Sequence, residues 1–163
     1  MKRILKRILI ALLVIFIVIQ FFRPEKNISS QIGPNDITTQ YPVPDSIQAI
    51  LKVACNDCHS NNTRYPWYAE IQPVAWWLSN HIKDGKKGLN FSEFTSYRLK
   101  KQYHRLDDIN VMIKKNEMPI GSYTIIHKDA ILTDRQKLAI TNWTNALRDT
   151  LKNRYPADSL LAK

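Results

Sequence analysis

Cys55-Asn56-Asp57-Cys58-His59 is the stretch on which the reading of this 163-residue chain turns. Two thiols three positions apart, followed at once by an imidazole, match C-x-x-C-H, the attachment signature for c-type haem. The spacing has a physical reason: two such thiols can add to the two vinyl groups on one porphyrin edge, and the next residue sets an imidazole beneath the iron. Cys55 and Cys58 are therefore the expected attachment points of one covalent haem c, and His59 the expected proximal ligand. For the sixth position Met112, Met118, His81, His104 and His127 are available. Met118 is the expected ligand, because it follows a helical stripe and Pro119 and Gly121 set a loop from which a thioether can be presented. Met112 falls on the stripe itself and is expected to pack in the core.

Other chemistries use paired cysteines. A thioredoxin-like redox pair needs a βαβ context that the flanking sequence does not supply. Zinc needs a fourth ligand beyond Cys55, Cys58 and His59; no second paired motif offers one, although His81 could. A simple disulfide in an oxidising compartment stays open.

Outward from the motif the pattern is helical. Ile47, Ile50, Leu51 and Ala54 recur at three- and four-residue spacing behind a capping Asp45, which predicts a helix running into Cys55. A second helix is predicted from Pro73, with Val74, Trp77, Leu78 and His81 on one face, stopping at Asp84-Gly85. Ser92-Glu93 opens a further stripe through Leu106, Ile109 and Ile113 to about Asn116, as one helix or two. Thr133 and Gln136 form a capping box ahead of Ala139, Trp143, Ala146 and Leu147, and Tyr155-Pro156 ends that helix. Only Tyr123 to Ile126 reads as a short strand. The expected class is all-α with long loops, ordered around one bulky cofactor.

At the N-terminus Ile8 to Phe22, ILIALLVIFIVIQFF, carries no charge, behind Lys2, Arg3, Lys6 and Arg7 and ahead of Arg23-Pro24. A basic flank before an apolar run, with no small residues at its end for cleavage, predicts an uncleaved signal anchor. The expected organisation is a transmembrane helix over 1–23, a Pro-containing tether over 24–44, the haem-binding domain over 45–155 and a tail over 156–163. The positive-inside rule then places a single-pass protein in the bacterial cytoplasmic (inner) membrane, its domain facing the periplasm.

Composition excludes several classes. Hydrophobic residues make up 44% and charged residues 23%, with four Gly and eight Pro, so the chain is neither disordered nor collagen-like. Half of the net charge of +10 lies in the first 26 positions, and the mildly basic remainder is no nucleic-acid signature. Lys83, Lys86, Lys87, Arg98, Lys100, Lys101, Arg105, Lys114 and Lys115 give a basic middle section, either a solvated helix face or a lure for an acidic redox partner. Tyr65, Trp67, Tyr68, Trp76 and Trp77 are pocket wall or ordinary core. Arg64 is a candidate for a haem propionate and equally a surface charge. His81 is expected as a hydrogen-bonded core histidine, His127 as a group near the haem edge or a helix cap, and His104, on a basic helix, as no ligand.

The motif, the run Ser60-Asn61-Asn62-Thr63-Arg64-Tyr65-Pro66-Trp67-Tyr68 and Pro73-Val74-Ala75-Trp76-Trp77 together resemble the bacterial haem-binding domain family. His81-Ile82, Gly85-Lys86, Leu89 to Phe94, Met118-Pro119, Tyr123, His127, Ala130, Leu132-Thr133 and Trp143 extend the resemblance over about residues 42 to 150. It implies a small helical monohaem module, similar to a c-type cytochrome and often membrane-anchored. The haem motif carries over onto Cys55, Cys58 and His59, and Met118 onto the family's Met-Pro element. The expected function is electron transfer to or from a redox partner protein, with no substrate transformed. The alternative is a peroxidase-like enzyme or ligand sensor whose sixth iron position is open or displaceable.

Overall fold

A computed structural model of the chain describes residues 1–29 and 31–161, and every regular element among them is helical. The α-helices are α1 (Lys2–Ile19), α2 (Asp45–Ala54), the single turn α3 (Asn56–His59), α4 (Val74–Gly88), α5 (Leu99–Lys114), α6 (Gly121–Ile126), α7 (Asp134–Arg154) and α8 (Ala157–Leu161). Tyr123 to Ile126, the one stretch with a strand-like pattern, forms most of α6, because four residues with no partner strand among the described residues gain more from a local helical turn.

The core forms where α5 and α7 pack along each other. Tyr103, Leu106 and Ile113 face Ile140, Trp143, Leu147 and Leu151, each set at helical spacing. Ile47 and Leu51 of α2 close one side, and α8 adds Leu160. The Thr133–Gln136 capping box starts α7 as expected, and Tyr155 ends it. The helix α2 also runs into Cys55, though Asp45 sits in its first turn and Pro44 is the cap position. The stripe expected from Ser92 divides into a 3-10 segment, Phe91–Ser96, and α5, with the break at Tyr97 and Arg98.

The N-terminal transmembrane helix is corrected. Among the described residues no helix is long and apolar enough to cross a membrane. Helix α1 has 18 residues, four of them the cations Lys2, Arg3, Lys6 and Arg7. Past Arg7, twelve helical residues remain, which at 1.5 Å each span about 18 Å against a hydrocarbon core of roughly 30 Å. The expected span had also counted Gln20 to Phe22, but these are drawn out of the helix. The Gln20 side chain accepts from Gln72 N at 2.9 Å, and the Phe22 carbonyl accepts from Gln72 Nε2 and Trp76 Nε1 at 2.8 and 2.7 Å. The single-pass placement in the inner membrane falls with the span on which it rested.

The chain beyond α1 is fastened to the module. Arg23 and Lys26 both pair with Glu70, and Asn27 donates to the Ser60 carbonyl and Thr63 Oγ1 while its backbone N–H meets Tyr65 Oη.

Candidate functional site

The motif is held as one helical turn. The amides of Cys58 and His59 both donate to the Cys55 carbonyl, at 3.2 and 3.0 Å, so the two thiols rise from the same turn. The loop that follows folds back over it. Thr63 Oγ1 donates to the Asp57 carbonyl and Ser60 Oγ to the Asn56 carbonyl, at 2.6 and 2.8 Å. Asp57, between the thiols, is buried with its carboxylate fully engaged: Arg64 donates to it from the backbone N, Nε and Nη2, at 3.0, 3.2 and 3.2 Å, and Tyr123 Oη at 2.7 Å.

His59 is fixed in one tautomer. Its Nδ1 lies 2.9 Å from the Leu89 carbonyl, which can only accept, so Nδ1 carries the proton and Nε2 keeps its lone pair for a metal. Leu89 immediately follows α4, so the packing of that helix on α3 sets the ring's orientation. The close approach depends on Gly85, where a Cβ would lie 2.6 Å from the Cys58 carbonyl oxygen. Gly85 was expected to end this helix; instead α4 continues to Gly88, and the glycine is where two backbones meet.

Two cavities of about 310 and 290 Å³ adjoin this turn and share Ala54, Cys55, His59, Gly88, Met118 and Pro119 as walls. The larger also reaches Met112, Arg105 and Asp108; the smaller reaches Cys58, His81 and Tyr123. The structure thus brings Cys55, Cys58, His59 and Met118 into the wall of the smaller, largely apolar cavity, and all but Cys58 into that of the larger. Met112 is corrected: it is 36% exposed and faces the larger cavity instead of packing in the core. Its exposure equals that of Met118, at 37%, but only Met118 borders both cavities.

The thiols are unbridged and held in the neutral form. Burial, reinforced by Cys58, pushes the Cys55 thiol up to about 12, and burial with the neighbouring Asp57 charge pushes Cys58 up to about 11. A redox-active pair needs the opposite shift, since the thiolate is its nucleophile. Among the described residues no three His, Cys, Asp or Glu side chains converge as a metal-binding group, so His81 does not complete a zinc set.

The residues fit a haem on three observations. The imidazole is oriented with its outer nitrogen free, both thiols are unpaired in the wall of the same space, and Gly88 leaves that wall open. A Cβ at Gly88 would meet no protein atom within 4 Å, so the chain's own packing gives no reason for glycine there.

Other expectations are redistributed. Arg64 is spent on Asp57, and Arg105 is the guanidinium that borders the cavity, paired with Asp108 at 2.7 Å. Trp67, Tyr68 and Trp77 line a separate groove of about 440 Å³ that shares Cys58, His81 and Tyr123 with the smaller cavity. His81 is half-buried, with Nδ1 2.9 Å from the Trp77 carbonyl and its ring 4.1 Å from the Trp77 ring. His127 borders neither cavity; it stacks on Tyr123 at 4.2 Å, and its Nε2 lies 2.7 Å from Tyr68 Oη. His104 is exposed on α5 and borders neither cavity. Sequence reasoning missed the Leu89 carbonyl, Asp57 and Gly88. A backbone acceptor leaves no trace in residue identity, whereas a buried-type acid between two cysteines and a second glycine three residues after Gly85 were visible signals.

A family model described as haem-binding domain matches residues 14–146 of the chain. No curated protein and no solved structure matches it.

Proposed function

Because the chain belongs to the haem-binding domain family, we propose that it holds a single haem c covalently through Cys55 and Cys58 and serves as an electron carrier. When bound, the iron supplies one-electron redox chemistry. The residues supply attachment, axial ligation and enclosure. Cys55 and Cys58, neutral and three positions apart on one turn, are placed to form the two thioether links. His59 offers Nε2, its Nδ1 proton being held by the Leu89 carbonyl, the bond that raises ligand basicity and fixes the ring. Met118 would hold the iron through its thioether, and it is favoured over Met112 because it shares both cavities with His59. Arg105 offers its guanidinium to a propionate, in exchange for part of its pairing with Asp108. Leu132 and Ile140 add apolar wall that excludes water.

The observation that carries this reading is the His59 ring, its Nδ1 proton held by the Leu89 carbonyl, in the wall of an apolar cavity that both thiols and the Met118 thioether also border. Its test is a haem assay on the denatured chain, produced in a host competent for c-type haem attachment, beside Cys55→Ser/Cys58→Ser. Haem retained through denaturation by the wild-type chain and absent from the double variant is the expected result. Haem that washes out of the denatured wild-type chain overturns covalent attachment while leaving haem binding intact.

A further inference from the structure

Among the described residues Asp57 is the one acidic side chain that is buried. It stands between the two thiols, two positions before the iron-binding imidazole, and borders the smaller cavity together with Cys55, Cys58, His59 and Met118. The attachment chemistry does not use it. A carboxylate is costly to bury, and a motif that needs only the spacing of its cysteines and histidine has no reason to carry one there.

Its partners are unequal. The Asp57 side chain is 9% exposed, while Arg64, which forks onto it, is 51% exposed. The cation of the pair therefore stands half in water, where its field is screened more than that of the buried anion. Tyr123 donates to the second carboxylate oxygen from the inner side and adds no charge. Of the two charges the carboxylate is the one that borders the smaller cavity; Arg64 does not, although the pair is formally neutral.

We propose that Asp57 is a tuning charge: its buried carboxylate, between the exposed Arg64 guanidinium and the Tyr123 hydroxyl, lowers the reduction potential of the haem iron. The proposal rests on the haem reading of the cavity. Ferric iron carries one more positive charge than ferrous, so a nearby anion favours the ferric form. Burial and local charge are among the means by which a protein sets such a potential. Arg64 acts through Asp57 as a positioning residue, and its half-exposed charge offsets part of the carboxylate's field. Opposite substitutions then have opposite signs, which a merely structural clamp does not produce.

The experiment is redox titration of the haem-loaded full chain, read by the optical spectrum, for wild type, Asp57→Asn, Arg64→Gln and Arg64→Lys. Asp57→Asn, nearly isosteric and still able to pair with Tyr123, is expected to raise the ferrous-to-ferric ratio at a fixed poise at least tenfold, equivalent to 59 mV for one electron. Arg64→Gln is expected to lower that ratio at least threefold, and Arg64→Lys to restore most of it. Lys152→Gln removes an exposed cation that borders none of the cavities and is expected to change the ratio less than twofold.

Shifts of the same sign in Asp57→Asn and Arg64→Gln, or an Arg64→Gln shift no larger than that of Lys152→Gln, overturn the tuning role. If Asp57→Asn fails to retain haem, the two Arg64 variants decide the matter alone, since Arg64 is a surface side chain. A wild-type chain without haem fails the functional reading itself, which the assay on denatured protein detects before any potential is measured.

Discussion

Cys55 and Cys58 carry a pH dependence of their own. Unfolded, such thiols ionise near 9.0; folded, burial holds Cys55 neutral up to about 12 and Cys58 up to about 11. Their contribution to the fold is complete below pH 9 and is lost as pH climbs through 11 to 12. Urea midpoints of the haem-free chain should therefore drop over that window. The haem-loaded chain should lack this component, because thioether sulfur does not titrate. At pH 8 the same shifts predict alkylation of both half-buried cysteines at least tenfold slower than in the denatured chain; equal rates would mean the fold does not hold the thiols neutral. Gly88 gives an independent test of the cavity. With no protein atom within 4 Å of its missing Cβ, Gly88→Val should leave the haem-free fold within about 1 kcal/mol of wild type. Covalent haem recovered per chain should fall severalfold, and an undiminished yield would place the haem elsewhere. For the axial position, carbon monoxide should bind the reduced Met118→Ala protein and neither wild type nor Met112→Ala. Binding to wild type would favour a displaceable sixth ligand and the chemistry of a sensor or peroxidase.

Helix α4 shows why residue identity and position had to be read together. Asp84-Gly85 has the composition of a stop, and the helix runs through it because α3 lies against that face. Gly85→Ala should improve intrinsic helix propensity by up to about 1 kcal/mol and still destabilise by about 1–3 kcal/mol net, since the added methyl meets the Cys58 backbone at 2.6 Å. Thr133→Ala, by contrast, removes one half of a capping box on the outside of α7 and should cost only about 1 kcal/mol. Chemical denaturation of both variants tests the difference, and a stabilised Gly85→Ala would show that α3 and α4 do not touch there. The same contrast marks what was legible beforehand. Caps, apolar spacing and the attachment motif are local, so α7, the approach of α2 to Cys55 and the three motif residues were readable from their neighbours. Whatever depended on a distant partner was not. The end of α1 is decided by Gln72 and Trp76, the helical state of Tyr123 to Ile126 by the absence of a partner strand, and the engagement of Arg64 by the burial of Asp57. Met112 was misplaced for the same reason, since a helical stripe gives the face that turns inward but not whether that inside is protein or cavity.

Charge is the property that only the assembled molecule displays. The chain carries +10, and five exposed cations of the basic middle section lie on the elements that frame the cavities. Lys83 and Lys87 stand on α4 beside Gly85 and Gly88, Lys114 and Lys115 follow the cavity-facing part of α5, and Arg98 caps its start. An electron entering or leaving near the cavity mouth therefore crosses a positive field, which favours an acidic partner. Small reagents of opposite charge separate that field from any specific docking. Oxidation of the ferrous protein by the hexacyanoferrate(III) trianion should slow severalfold as salt rises from about 0.01 M to about 0.15 M, where the Debye length shrinks from about 30 to about 8 Å. Oxidation by a cobalt(III) trication should accelerate over the same range. Lys83→Glu/Lys87→Glu should weaken both dependences if the reagents approach past α4, whereas unchanged slopes in that double variant would move the point of electron exchange away from α4. Salt-independent rates with wild type would remove electrostatic steering altogether and leave apolar contact, with exposed Trp67 and Trp77 beside Cys58, as the means of recognition.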